Sequence, residues 1–338
     1  MKNLPAEYYT DPAIFLKEQS DVFSTSWQLI GSAAHLQHSG DYVAADIAGT
    51  KVFVVRDQAG ELRGFRNLCR HRGAKLLEEG SGHCRSIRCP YHNWVYRLDG
   101  SLERAPWFDE TERLNLDEWP LHRITVGIWR NLVFACVAGN ITLENQLGGL
   151  AEEIKNDPIE DYQWAGQKRM VFDANWKIYT DNFVEGYHIP GIHPDFFKAI
   201  DFEKFETTTG ANLVRMTAPV RDDLFYQGRW LWMWPNWTLS FFDGGMNTSR
   251  INPIGVARTE LIYDFYFADA SEAARAARDA VIKSNIAVIE QDFDICAQVH
   301  QNYLSGGYQP GPLSPKHEQG VYQFQTSIKE ALGESEKP

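Results

Sequence analysis

The sequence predicts an α+β protein in two parts: an all-β part, then an antiparallel sheet with helices on one side. Three observations predict it. From about Trp27 to Ala138 the chain alternates short β-rich runs with Gly- and Asp-containing turns. Near Gly139 the composition shifts to GNITLENQLGGLAEEIKNDP, a polar connector with an amphipathic helical stretch. Beyond it, further β-rich runs lead into a long helical pattern at Ala270–Leu304.

The elements follow in order. Residues 1–26 read as an extended arm and a short helix started by Asp11 and Pro12, packing on the second domain. Asp41–Val55 holds alternating segments around Gly49 and Thr50. Asp57–Gly60 and Asp99–Gly100 read as hairpin turns, and Val126–Val137 as a further strand. The boundary falls near Gly139, giving domains at 27–138 and 139–338. In the second, Ala174–Tyr187 is helical in pattern, and Asn212–Arg221, Leu231–Phe242 and Thr248–Phe267 read as strands. A chain of 338 residues is long enough for two cores of ordinary size.

Composition narrows the functional classes. Eleven Trp, 14 Tyr and 19 Phe point to large aromatic cores or an aromatic-walled pocket. A net charge of −12 with no basic run argues against nucleic acid or an anionic membrane as partner. No run of apolar residues is long enough to span a bilayer, and MKNLPAEYYTDPAIF lacks the basic and apolar regions of a signal peptide. A cytoplasmic protein is expected. Its cysteines (Cys69, Cys84, Cys89, Cys136 and Cys296) are then reduced or metal-bound, not disulfide-bonded.

Two groups of residues carry metal chemistry. The first is Cys69-Arg70-His71 and Cys89-Pro90-Tyr91-His92, with 17 residues between His71 and Cys89. Two thiolates and two imidazoles satisfy either tetrahedral zinc or one [2Fe–2S] cluster. Zinc-finger spacing pairs Cys with Cys and His with His. Here each loop offers one of each, which lets the two Cys hold one iron and the two His the other. Imidazole ligation raises the cluster potential to a window of roughly −150 to +300 mV, suited to passing single electrons. Cys84, between the loops, reads as an ordinary buried thiol.

The second group lies in DNFVEGYHIPGIH, residues 181–193. His188 and His193 are five apart. On one unbroken helix they would diverge by about 140°. Pro190 and Gly191 between them supply a helix ending, so the two imidazoles are able to share a metal. Two His and a carboxylate on one face of an iron leave positions open for O₂ and a co-substrate. In IEQDFDICAQVH, Asp292 falls near the buried stripe formed by Ile282, Ile286, Ile289, Phe293 and Cys296, while Asp294 turns toward solvent. A buried carboxylate needs compensation, which a metal provides. Asp292 is the expected third ligand.

Together, Cys-X-His, Cys-X-X-His and Asn-X-X-Glu-X-Tyr-His-X4-His resemble the Rieske non-haem iron oxygenase α-subunit family, from Trp27 through the long C-terminal helix. Arg72-Gly73 and Trp94 fit the same resemblance, and the family spacing also favours Asp292. Asn93 departs from it, standing where the family usually has Gly. The resemblance implies an N-terminal all-β Rieske [2Fe–2S] domain and a catalytic domain whose helices hold mononuclear Fe(II). It implies a head-to-tail homotrimer in which Glu185 bridges a cluster His of one subunit (His92 or His71) to His188 or its partner His193 in the next. Asn182 matches a position near the iron.

Electrons would come from NAD(P)H through a separate reductase or ferredoxin, since the chain has no GxGxxG or flavin motif. The implied activity is O₂-dependent hydroxylation of a small organic substrate, an aromatic or apolar acid. Glu185, where many ring dioxygenases carry Asp, resembles instead the subgroup that oxidises or demethylates quaternary ammonium compounds. Trp230, Trp232, Trp234 and Trp237 fit an aromatic cage for such a cation, or ordinary core packing. A Rieske electron carrier with an inert second domain is the reading from another class.

Overall fold

The computed structural model describes residues 1–108, 114–221 and 226–334. Its backbone separates into two compact units, Ser24–Asn140 and Met1–Phe23 with Ile141–Pro338.

Ser24–Asn140 is built from strands β1 (Gln28–Ser32), β2 (Asp41–Ile47), β3 (Thr50–Arg56), β4 (Leu62–Arg66), β5 (Gly80–His83), β6 (Ile87–Arg88), β7 (Val95–Tyr96), β8 (Leu102–Arg104), β9 (Arg123–Trp129) and β10 (Leu132–Cys136). They form an antiparallel sheet in the order β1-β10-β9-β4-β3-β2-β5 and a small sheet β6-β7-β8. The run expected as one strand at Val126–Val137 is the hairpin β9–β10. Arg130 turns the chain with a left-handed φ of 54°, a backbone state that a tight hairpin requires and that apolar patterning does not reveal. Phe53, Phe65, Tyr96 and Trp94 fill the core, and the metal-motif cysteines are buried in the same cluster.

The second unit carries strands β11 (Gln163–Phe172), β12 (Glu206–Thr209), β13 (Leu213–Thr217), β14 (Tyr226–Met233), β15 (Trp237–Phe242), β16 (Gly245–Gly255) and β17 (Arg258–Phe267). All pair antiparallel in the order β11-β17-β16-β15-β14-β13-β12. Two runs read as single strands are hairpins. Pro235, which has no N–H for the ladder, sits in the turn between β14 and β15, and Val256-Ala257 turns β16 into β17. Two strands went unread. β11 is a sheet edge whose sequence, QWAGQKRMVF, is largely solvent-facing and so carries little apolar signal. β12 is only four residues long.

Three helices pack on this sheet. Trp176–Phe183 starts with Asn175, whose side chain accepts from the Lys177 N–H, and ends earlier than the expected Tyr187. The long helix spans Arg275–Leu304, and a C-terminal helix, Gln319–Ala331, was not anticipated. Phe324 of that helix meets Trp176 at 5.5 Å and Trp232 at 5.3 Å, edge-on. The N-terminal arm belongs to the same core: Phe23 contacts Trp176 at 5.0 Å, and Glu18 holds both the Trp176 indole N–H and the Lys177 ammonium, with Glu18 and Lys177 fully buried.

Candidate metal centres and substrate cavity

Two loops of matching geometry carry the first ligand group. The N–H of Cys69 donates to the Ala74 carbonyl and the N–H of Gly73 to that of Cys69; the N–H of Cys89 donates to Trp94 and that of Asn93 to Cys89. The fifth residue of each loop is left-handed, Gly73 at φ 72° and Asn93 at φ 56°. Asn is the side-chain-bearing residue that best tolerates this region, which explains why it replaces Gly there. Each loop thus buries its Cys and carries its His outward. Cys69 and Cys89 are 1% exposed, His92 is half-buried and His71 is exposed.

The imidazole Nδ1 atoms of His71 and His92 lie 3.1 Å apart, and the His71 ring stacks on Trp94 at 4.9 Å. Burial pushes the Cys69 thiol up, and burial with the His92 and Arg72 charges nearby holds His71 below the ordinary imidazole value. Tyr96 was not singled out from the sequence. Its hydroxyl sits 3.3 Å from Cys69 Sγ and accepts from the Arg70 N–H at 3.0 Å.

Zinc would draw all four ligand atoms around one point. Among the described residues, the group of three or more such side chains whose ligand atoms all converge within 4.8 Å is His188, His193 and Asp292, not these four. A thiol pair inside and an imidazole pair outside suit the two irons of one cluster.

The second group is assembled differently. The Trp176–Phe183 helix stops at Val184, before His188, so the break does not lie at Pro190 and Gly191 as expected. Pro190 instead sits in the first turn of a short helix, Ile189–Ile192, that begins after His188 and ends at His193. Glu185 therefore shares no helix with His188. It reaches the imidazole because its carboxylate folds back over the turn: one oxygen accepts from the N–H groups of Tyr187 and His188, the other from His188 Nδ1 at 2.6 Å. Gly186 permits this turn, since a Cβ there would meet the Phe205 ring at 2.5 Å.

His193 is oriented by Gln291, which the sequence gave no reason to choose; Gln291 Oε1 accepts from Nδ1 at 2.7 Å. With both Nδ1 atoms engaged, Nε2 is the ring nitrogen of each left to face a metal. These face Asp292 Oδ1, at 3.0 Å from His193 and 3.8 Å from His188. Asp292 is 7% exposed, and Oδ1 has no hydrogen-bond donor. Two imidazole nitrogens and a carboxylate oxygen, all within 4.8 Å of one another, make a donor set that fits a metal ion. Asp294 is exposed.

A cavity of about 100 Å³ opens beside these three residues. Its floor is one row across four strands. Met216 pairs with Trp230, Trp230 with Ser240 and Ser240 with Asn247, and all four line the cavity. The opposite wall includes Asn285, Val288, Ile289 and Asp292 of the long helix. Asn182 and Glu185 line it as well. Of the four tryptophans, Trp230 alone does so. Trp232 and Trp237 are fully buried, and Trp234 packs edge-on against Trp232 at 6.4 Å, so WLWMWPNW builds core more than cage.

The comparisons agree with this architecture. Residues 26–120 match the Rieske [2Fe-2S] domain, and 159–222 with 207–334 match the ring hydroxylating alpha subunit (catalytic domain). Fold and site define a cluster-bearing oxygenase with a mononuclear iron centre. The chain belongs to the ring-hydroxylating alpha subunit family of Rieske oxygenases, and is the terminal oxygenase component of such a system, an oxidoreductase that incorporates O₂. Its cofactors are a [2Fe–2S] cluster and mononuclear iron.

Among its relatives, a chloroplastic choline monooxygenase of Atriplex hortensis is 26% identical over 97% of this chain and 77% of its own length. The carnitine monooxygenase oxygenase subunit of Acinetobacter baumannii is 28% identical over 90% of this chain and 86% of its own. A solved structure of a quaternary ammonium Rieske monooxygenase superposes with a TM-score of 0.89 at 27% identity, covering 98% of this chain and 95% of the other. Naphthalene 1,2-dioxygenase shares the fold at a TM-score of 0.82 and 18% identity, covering 98% and 92%. No helix among the described residues is long and apolar enough to cross a membrane.

Proposed function

We propose that this oxygenase is a monooxygenase of a quaternary ammonium compound. The observation that carries it is the composition of the cavity wall. Tyr179, Phe183, Phe196, Phe205, Trp230 and Tyr263 line it, and among the described lining residues there is no Lys or Arg. A carboxylate substrate would find no guanidinium or ammonium partner in this wall, only the metal centre and its imidazoles. A tetraalkylammonium group forms no N–H hydrogen bond and is held by aromatic faces. The named relatives that act on choline and carnitine support the same class.

In this reading Cys69, His71, Cys89 and His92 hold the cluster, and His188, His193 and Asp292 hold the iron. When bound, the mononuclear iron would supply O₂ chemistry and the cluster single-electron transfer, with electrons that originate in NAD(P)H and arrive through a separate reductase. The net change is C–H + O₂ + 2e⁻ + 2H⁺ giving C–OH + H₂O. Glu185 fixes His188 by accepting a hydrogen bond from its Nδ1–H and is the bridge toward a cluster His of a neighbouring subunit in a homotrimer. The exposed His71 gives the cluster a route outward. Asn182 and the aromatic wall orient the substrate and exclude water.

The test is O₂ uptake and product analysis with a reductase, a nicotinamide donor and a panel of quaternary ammonium compounds and aromatic acids. Coupled aldehyde or alcohol formation from the ammonium compounds is expected. Coupled turnover of aromatic acids alone would overturn the proposal.

A further inference from the structure

We propose that Asp181 is a relay residue that supplies protons to the mononuclear site, through a second cavity that shares Asn182 and Glu185 with the first. The balance of the reaction creates the demand. One oxygen joins carbon, the other leaves as water, and two protons enter with the two electrons. That demand is the same for any substrate of this oxygenase class. Among its described lining residues the substrate cavity holds no spare acid. Its imidazoles and Asp292 face the metal position, and Glu185 is committed to His188. Its phenols, Tyr179 and Tyr263, are held above their ordinary values by burial and are poor proton donors at neutral pH.

The second cavity, about 170 Å³ and partly open, has room for several waters. Asn182 and Glu185 line both cavities, so the two meet at those side chains. Asp181 lines the second, directly before Asn182 in the chain, and part of its surface is accessible. Its carboxylate joins a hydrogen-bonded ring drawn from three distant segments. Oδ2 accepts from the Tyr9 hydroxyl at 2.6 Å and Oδ1 from Gln325 Nε2 at 3.1 Å, and Gln325 Nε2 also reaches the Tyr9 hydroxyl at 3.1 Å. The titratable groups around it are Lys177 on its own helix, Tyr9 on the arm, Cys296 and Tyr303 on the long helix, and Glu185 and Glu318 lining the same cavity. Burial raises the Asp181 carboxyl most. The Tyr9 and Gln325 hydrogen bonds and then the Lys177 charge lower it, Glu318 raises it, and it ends pushed up to about 7. A carboxyl poised there both gives a proton and recovers one from water at neutral pH. Glu185 keeps its charge and its bond to His188 throughout, and the proton passes in water beside Asn182.

The experiment compares wild type, Asp181→Asn and Tyr9→Phe as iron-loaded holoenzymes, with the compound the panel above identifies as substrate. It reads coupled turnover per bound iron against pH, and follows carboxyl C=O stretches by infrared difference titration of the resting protein. Wild-type turnover should be full below about pH 7 and fall as pH rises through it, because the proton-bearing form of Asp181 is lost. A carboxyl band should disappear with the same midpoint. Asp181→Asn should keep both metals, lack that band and that alkaline limb, and turn over about tenfold or more slowly per iron. Tyr9→Phe removes a hydrogen bond that favours the ionised carboxylate, so limb and band should move together to higher pH. Wild-type turnover per bound iron in Asp181→Asn overturns the proposal, since any loss would then be one of stability or metal content. If that variant does not fold, the other two proteins decide. A wild-type limb that does not coincide with a carboxyl band, or a limb unmoved in Tyr9→Phe, overturns it as well.

Discussion

The two candidate metal-binding regions of this chain bring their proposed ligand sets together by opposite routes. The loops at Cys69 and Cys89 are near copies, each closed by the same pair of backbone hydrogen bonds and each ending on a left-handed residue. Their ligands follow from local sequence. The His188, His193 and Asp292 site is assembled from a turn, the ends of a one-turn helix and a distant long helix. Its imidazoles are aimed by Glu185 and Gln291, one charged and one neutral. A site made of local loops tolerates drift elsewhere in the fold. A site made of distant elements depends on their packing.

Removing ligands breaks the comparison most severely. Cys89→Ala should abolish the cluster's visible absorption and its two irons while the mononuclear iron remains, by iron and sulfide quantitation. Asp292→Ala should do the converse, taking three irons per chain to two with the cluster intact, and Asp294→Ala should change neither count. Equal loss of both metals in either ligand variant would show that the two regions are not independent.

Glu185→Gln should come next. It keeps a side chain that bonds His188 but removes the charge, so both metals should stay bound while turnover falls about 10–100-fold. Wild-type rates would exclude the bridging role. Packing is tested by Lys177→Met, which leaves Glu18 buried without its cation. A loss of about 3–5 kcal/mol is expected in denaturant unfolding. It should lower iron retention at the mononuclear site before it affects the cluster.

The smallest effects belong to the loops. Asn93→Val places a β-branched residue at φ 56° and should cost about 1–2 kcal/mol, read as faster cluster loss on warming. Asn93→Gly should stay near wild type.

The same contrast decides what was legible in the sequence. The four candidate cluster ligands were picked out by spacing, and the α+β architecture followed from the change of pattern near Gly139. Asp292 was reachable as a buried candidate because a helix has a fixed period. The buried stripe itself was only partly read: it runs through Ile282, Asn285, Ile289, Asp292, Cys296 and His300, and a count of apolar residues passes over Asn285 and His300. Ser240 and Asn247 gave no signal, because β15 and most of β16 are buried on both faces and their residues do not alternate. Gln291 is an exposed helix residue by pattern, and only the fold brings it to His193.

The floor row of Met216, Trp230, Ser240 and Asn247 has a consequence for how selectivity is graded. Neighbouring strands stand about 4.8 Å apart, so the row is a ruler some 14 Å long with one mark per strand. Each mark is a single codon in a separate strand. Substitution at one therefore changes what is recognised at one distance along the bound molecule and leaves the other readings in place. Discrimination by chain length is written on the sheet.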